Sequence, residues 1–130
     1  MQRLRAADVL VFPSIREFGG GVVFEGLAMG VVPVVMDFGG PGDIVHPEVG
    51  YKVSLTNESD VVLQITKILE NLARDRDLVN RLRQQGMCYA RESLSWDGKA
   101  QAVTQILRWA VRQGLKPDLQ PPKILYLQNC

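Results

Sequence analysis

This chain is poor in the side chains that bring metals, redox chemistry or membranes into an argument. Its two cysteines are Cys88, within a helical stretch, and Cys130, the last residue. They form no CxxC pair and, with His46 as the single histidine, no ligand set with metal-site spacing. No metal is expected, and a reducing compartment suits the cysteine usage. No apolar run approaches the roughly 20 residues of a membrane-spanning helix. Arg3, Arg5 and Asp8 interrupt the first residues where a signal core would lie. The expected setting is cytoplasmic, soluble or peripherally attached at a membrane. Long charge runs are missing too, and the net charge is +1. Neither nucleic acid nor anionic lipid is therefore called for as principal partner. Residues 1–57 carry four Lys/Arg against six Asp/Glu, and the remainder eleven against eight. A solvated helical face explains that mild basic bias.

What is present is a globular composition. With 46% hydrophobic residues in 130, the chain is one domain by size, with a modest core. The most informative stretch runs from Arg16 to Gly30. An apolar run, Val9 to Phe12, precedes it and closes on Pro13-Ser14; another, Val31 to Met36, follows and closes on Asp37-Phe38-Gly39-Gly40-Pro41. Apolar residues in succession read as strands buried on both faces, and a helical stretch between two such strands reads as a βαβ crossover. The loop leaving the first strand then lies at the carboxyl edge of the sheet, where open α/β folds bind ligands.

Glu17 falls in that loop. Gly19-Gly20-Gly21 follow, so the backbone can take positive φ and bring N–H groups close to a ligand where a helix begins and favours negative charge. Glu25, eight residues after Glu17, is expected in the first turn or so of that helix, so that both carboxylates border one cleft. A carboxylate accepts two hydrogen bonds and suits vicinal sugar hydroxyls, while a glycine nest suits a diphosphate. Together they describe a sugar nucleotide. On spacing alone, a glycine-rich turn with one exposed and one solvated glutamate carries equal weight.

The remaining chain reads as support. Met1 to Ala7 is the end of a helix. Gly30 ends the helix after the glycines, and pairing in the second strand is expected to begin just after Pro33. A short helix over about Pro41 to Val45 places Asp43 in its first turn. His46 reads as a solvent-facing loop residue. Gly50 to Val53 is a third strand, and Asn57 caps a helix whose inner face is Val61, Ile65, Ile68 and Leu72. A further helix over about 75–91 carries Leu78, Leu82 and Tyr89, with Gly86 allowing a close approach. Ser95 caps the last helix, in which Ala100, Val103, Leu107 and Ala110 repeat and which Gly114 stops. Trp96 and Trp109 read as core or interdomain contacts. The tail from Lys116 holds three prolines, and Ile124 to Leu127 reads as an edge strand or surface-packing segment.

The ordered set Ala7-Asp8-Val9-Leu10-Val11-Phe12-Pro13-Ser14, Glu17 with Glu25 (an EX7E pattern), Gly30-Val31-Val32-Pro33 and Gly39-Gly40-Pro41 resembles the carboxyl-terminal domain of the retaining GT-B glycosyltransferases. The similar set is group 1 (family 4-like), and the resemblance runs from about Leu4 to Val53 and again at Ser95-Trp96. It implies an α/β fold, a partial Rossmann-like domain of about three parallel strands with flanking helices and a helical carboxyl-terminal half. Residues 1–114 would be the latter part of the donor-binding domain and 115–130 a Pro-containing tail. It further implies a hexosyltransferase-type enzyme moving sugar from a nucleotide-diphospho-sugar donor to an acceptor with retention. The nucleotide sugar is a substrate, and no cofactor or metal is implied. By the same resemblance Glu17, in the catalytic position, contacts hydroxyls of the transferred sugar, and Glu25 holds the ribose. Gly20, Gly21 and Val22, with Gly19 in the same loop, offer backbone donors. Gly39 and Gly40 are secondary candidates near the diphosphate, and Arg16 is a nearby cation of lower rank. Where the family usually reads Glu-Gly-Phe-Gly, this chain has Glu17-Phe18-Gly19-Gly20-Gly21.

The resemblance also implies that further βα units and an amino-terminal acceptor domain precede this segment in full enzymes. The chain alone is then expected to be inactive and to self-associate through the sheet edge at Val9 to Phe12. Two other readings stay open: a non-catalytic nucleotide-binding or partner-docking module, and another GT-B-type enzyme such as an epimerase.

Overall fold

Valine-rich runs set the centre of the molecule. In the computed structural model, which describes residues 2–118, Val9–Phe12 (β1), Val32–Met36 (β2) and Tyr51–Val53 (β3) form a parallel sheet in the order β1-β2-β3. Val9 stands opposite Val32 and Phe12 opposite Val35, while Val34 stands opposite Tyr51. Every residue of β2 is buried, as a central parallel strand requires. β1 differs from its expected burial on both faces. It is half-buried, and Val11 is 38% exposed, because β1 lies at an edge of the sheet.

Pro33 explains how the strands start. β2 pairs with β1 from Val32, whose N–H donates to the Asp8 carbonyl at 2.9 Å, whereas its pairing with β3 begins only at Val34, just after the proline. Gly50 fits beside it because a Cβ there would come 2.7 Å from Pro33 Cγ.

The side chains of β2 alternate between two cores. Val35 meets Val23 and Leu27 of the helix α2 (Gly21–Ala28), together with Val45, Val49, Tyr89 and Ala90. Val32, Val34 and Met36 meet Val53, Leu72, Val79 and Leu82 on the other face. Each fully buried Val or Leu contributes about 1.5–3 kcal/mol of transfer free energy. This is a Rossmann-like three-layer α/β arrangement.

Short α1 (Gln2–Arg5) precedes β1. Between β2 and β3 lies α3 (Gly39–Ile44), which starts two residues earlier than expected. Asp43 accordingly sits in its last turn rather than its first, because Gly39, at φ 59°, begins the helical turn before Pro41. Two helices follow, α4 (Glu58–Arg74) and α5 (Arg76–Tyr89). The Asn57 side chain accepts the Asp60 N–H at 3.0 Å and the Asp75 side chain the Leu78 N–H at 2.8 Å, so each helix carries its own cap. Leu72 is buried and Val61, Ile65 and Ile68 pack beside it, the inner face expected of α4. Helix α5 serves both cores, with Val79 and Leu82 in one and Tyr89 in the other. A Cβ on Gly86 would lie 3.0 Å from Leu27 Cδ2, which is the close approach that glycine permits. Arg76 and Arg83 of α5 both reach Asp8 ahead of β1, at 3.1 and 2.7 Å.

The chain does not continue as α-helix to Arg91. Residues Ala90–Leu94 widen into a π-helix, and Ser95 then caps α6 (Trp96–Ala110), accepting the Gly98 N–H at 3.1 Å. No residue of α6 is buried. Trp96 is 91% exposed and Trp109, Val103 and Leu107 are exposed as well, so neither tryptophan belongs to the core. The run Ile124–Leu127 and Cys130 lie outside the described residues.

Candidate functional site

The two loops at the carboxyl edge of β1 and β2 are built against each other. A Cβ on Gly39 would lie 3.1 Å from the Glu17 carbonyl oxygen, and one on Gly40 would overlap the Phe18 carbonyl oxygen. Gly20, in the left-handed region at φ 57°, is the N-cap of α2, and a Cβ there would stand 3.0 Å from the ring of buried Pro41. These glycines are therefore required by close backbone approach, and they hold Glu17 to Gly20 beside Gly39-Gly40. No side chain caps α2 from Gly20. The first N–H groups of a helix lack acceptors one turn back, and its dipole favours an anion there.

Glu17 supplies that anion in the structure. The N–H groups of Gly19 and Gly20 both donate to its Oε1, at 3.2 and 3.1 Å. Two amides thus converge on one carboxylate oxygen. Phe18, between Glu17 and Gly19, is 98% exposed and packs on nothing. Val22 is half-buried at the start of α2, and Gly21 is exposed. Arg16 is exposed and makes no ion pair with a described residue.

Glu25 lies one turn further along α2, exposed and without a hydrogen-bond or ion-pair partner among the described residues. It borders a cavity of about 390 Å³, walled by Phe24, Ala28, Met87, Ala90 and Leu94, with Arg91 and Ser95 at its polar side. Glu17 is not among its lining residues. The single cleft expected for both acids is thus not formed in this state, because the Glu17 carboxylate is turned back on its own loop.

Sequence reasoning missed two features here. Lys52 of β3 pairs with Asp37, two residues before Gly39, at 2.9 Å. The register of β3 beside β2 sets this pair, and spacing along one segment could not reveal it. His46 is the other. It is half-buried rather than solvent-facing, its Nε2 lies 3.3 Å from Tyr89 Oη, and the two rings meet edge to face at 5.4 Å. Burial lowers the His46 pKa from 6.5, with Glu48 opposing and Lys52 adding to that shift; burial also raises the pKa of Tyr89. Both shifts favour the uncharged form.

Among the described residues no three His, Cys, Asp or Glu side chains gather as a metal site, and no helix is long and apolar enough to cross a membrane. Comparison with known proteins bears on the family of the chain. An uncharacterized glycosyltransferase of Methanocaldococcus jannaschii is 29% identical over 108 residues. The alignment covers 82% of this chain but 27% of that protein, so the chain spans about a quarter of its relative's length. The family model described as "Glycosyl transferases group 1" matches residues 1–86, which include β1, β2, β3 and every candidate residue named above. The chain therefore belongs to the group 1 glycosyl transferases.

Proposed function

We propose that this chain is the donor-binding part of a retaining, GT-B-type hexosyltransferase that takes its sugar from a nucleotide-diphospho-sugar. The observation that carries this reading is the convergence of the Gly19 and Gly20 amides on one anionic oxygen at the start of α2. A diphosphate oxygen satisfies the same two donors. It would displace Glu17, whose freed carboxylate then accepts hydroxyls of the transferred sugar. Glu25, exposed and unpaired among the described residues, takes the ribose diol. Gly21 and Val22 add backbone donors, and Gly39-Gly40 bring a second loop close enough to border the diphosphate.

In the transfer step the bond between the anomeric carbon and the diphosphate oxygen breaks as an acceptor hydroxyl attacks that carbon from the same face and passes its proton to the departing diphosphate. Negative charge then grows on the leaving diphosphate, and preorganised N–H groups stabilise it. Arg16 is the cation nearest in sequence. No metal is assigned a role. The chain spans about a quarter of its relative's length, and the part of the reaction read here is donor binding. Its location is read as cytoplasmic, with the open edge of β1 as the route to self-association.

The test is calorimetric titration of UDP, GDP and ADP, and of their sugar conjugates, into the wild type and Glu25→Gln. Saturable binding to the wild type, weakened at least about tenfold by the substitution, supports the reading. Absent binding, or binding that Glu25→Gln leaves unchanged, favours a plain scaffold.

A further inference from the structure

Glu17 and a donor diphosphate compete for the same two amides. Glu17 Oε1 accepts the Gly19 and Gly20 N–H groups at 3.2 and 3.1 Å, and among the described residues no cation pairs with its carboxylate. Its hold is those two amides. The backbone around them has little freedom, because a Cβ on Gly39 would lie 3.1 Å from the Glu17 carbonyl oxygen and one on Gly40 would overlap the Phe18 carbonyl oxygen. Gly20 is buried, at φ 57°. The Glu17 carboxylate can therefore leave by rotation about its own side-chain bonds while the loop keeps its place.

We propose that Glu17 is a built-in occupant of the anion site, one that turns away diphosphates lacking a sugar and so selects the loaded donor over its own product. The proposal rests on the donor reading and deepens it with a discrimination that reading does not contain. Hydrogen bonds to an ionised oxygen are the stronger class, so a ligand that displaces Glu17 must make good two of them. A sugar-bearing diphosphate does so twice over, since its phosphate oxygens take the amides and its sugar hydroxyls donate to the freed carboxylate. Inorganic pyrophosphate satisfies only the amides. It leaves Glu17 without donors and beside further negative charge, and a nucleoside diphosphate that has lost its sugar does the same at that end. After transfer the carboxylate swings back onto Gly19 and Gly20 as the diphosphate leaves. The two hydrogen bonds seen in the structure thus favour product release.

Glu17→Ala and Glu17→Gln test the proposal. Wild type and both variants are titrated calorimetrically with inorganic pyrophosphate, with UDP, GDP and ADP, and with UDP-glucose, GDP-mannose and ADP-glucose, while circular dichroism confirms the fold. Glu17→Ala should bind pyrophosphate and the preferred nucleoside diphosphate at least about tenfold more tightly than the wild type, and should lose the wild type's preference for the sugar conjugate. Glu17→Gln keeps a side-chain oxygen for the amides without the charge, so its gain should be smaller, about threefold. In a 1H–15N spectrum of the unliganded protein, Glu17→Ala should move the Gly19 and Gly20 amide protons upfield as their acceptor is lost. Pyrophosphate affinity that stays the same or falls in Glu17→Ala overturns the proposal, and so do unmoved Gly19 and Gly20 amides. Equal gains in Glu17→Ala and Glu17→Gln also overturn it, because charge repulsion alone would then explain them. If nucleoside diphosphates bind the wild type and are lost in Glu25→Gln, yet gain nothing in Glu17→Ala, the donor reading stands and the built-in occupant is wrong. Absence of binding by every probe to all three proteins overturns both.

Discussion

Gly40→Ala tests how the two glycine loops position each other. The added Cβ would overlap the Phe18 carbonyl oxygen and stand 3.0 Å from the Phe18 carbonyl carbon and 3.4 Å from Gly19 Cα. An unstrained carbon–oxygen contact needs about 3.3 Å, so the Phe18–Gly19 peptide must retreat by about 1 Å or more. That peptide carries the Gly19 N–H, one of the two donors on Glu17 Oε1. Misplacing a positioning group by about 1 Å costs on the order of 100-fold, so pyrophosphate and nucleoside diphosphate affinity should fall by about 10–100-fold. The atoms that must move are backbone, and Gly20 and Pro41 beside them are buried, so the melting temperature should fall as well, by about 5–15 °C. The assays are calorimetric titration, a thermal melt, and amide shifts of Gly19 and Gly20 in a 1H–15N spectrum. Unchanged amide shifts together with wild-type affinity would refute the claim that the two loops position each other.

Three other perturbations address the scaffold. Leu27, fully buried between the sheet and Gly86, should cost about 2–5 kcal/mol as Leu27→Ala in a urea titration. Asp8→Ala removes the partner of Arg76 and Arg83; all three side chains are partly exposed, so the loss in a denaturant titration should be about 1 kcal/mol and should shrink in high salt. His46 takes up a proton less readily folded than unfolded, so its contribution is present above the unfolded value of 6.5 and is lost as pH falls through it towards the lower folded value. The urea midpoint should therefore decline below about pH 6.5 in the wild type and decline less in His46→Gln.

The local chemistry of the chain was legible wherever one segment carried its own explanation. Val9 to Phe12, the cap residues Asn57 and Ser95, and the inner face of α4 follow from period, cap type and β-branching. Gly86 was legible as a contact point, since a glycine inside a helix has little other reason to be there. What escaped depends on neighbours distant in sequence. Burial of β1 is set by its edge position, and His46 is buried by Tyr89, 43 residues away. The tryptophans of α6 look like core residues in composition, yet both are exposed on a helix that has no buried residue. At the site, the spacing of Glu17 and Glu25 placed both acids near the start of α2 but gave no hint that Glu17 turns back onto its loop, because that is decided by two backbone amides. The cavity beside Glu25 also depends on α5 and the π-helix, which contribute Met87 to Ser95 to its wall.

The Asp8 clamp bears on the order in which this fold is made. The carboxylate just ahead of β1 meets guanidinium groups 68 and 75 residues later, among the most distant pairings in the sequence. Closure over such a span costs more entropy than the nearer pairings of β1 with β2 and β2 with β3, which favours the ladder forming before the clamp. On a ribosome the clamp can close only once Arg83 has emerged, so the tie between the start of β1 and α5 is a late one.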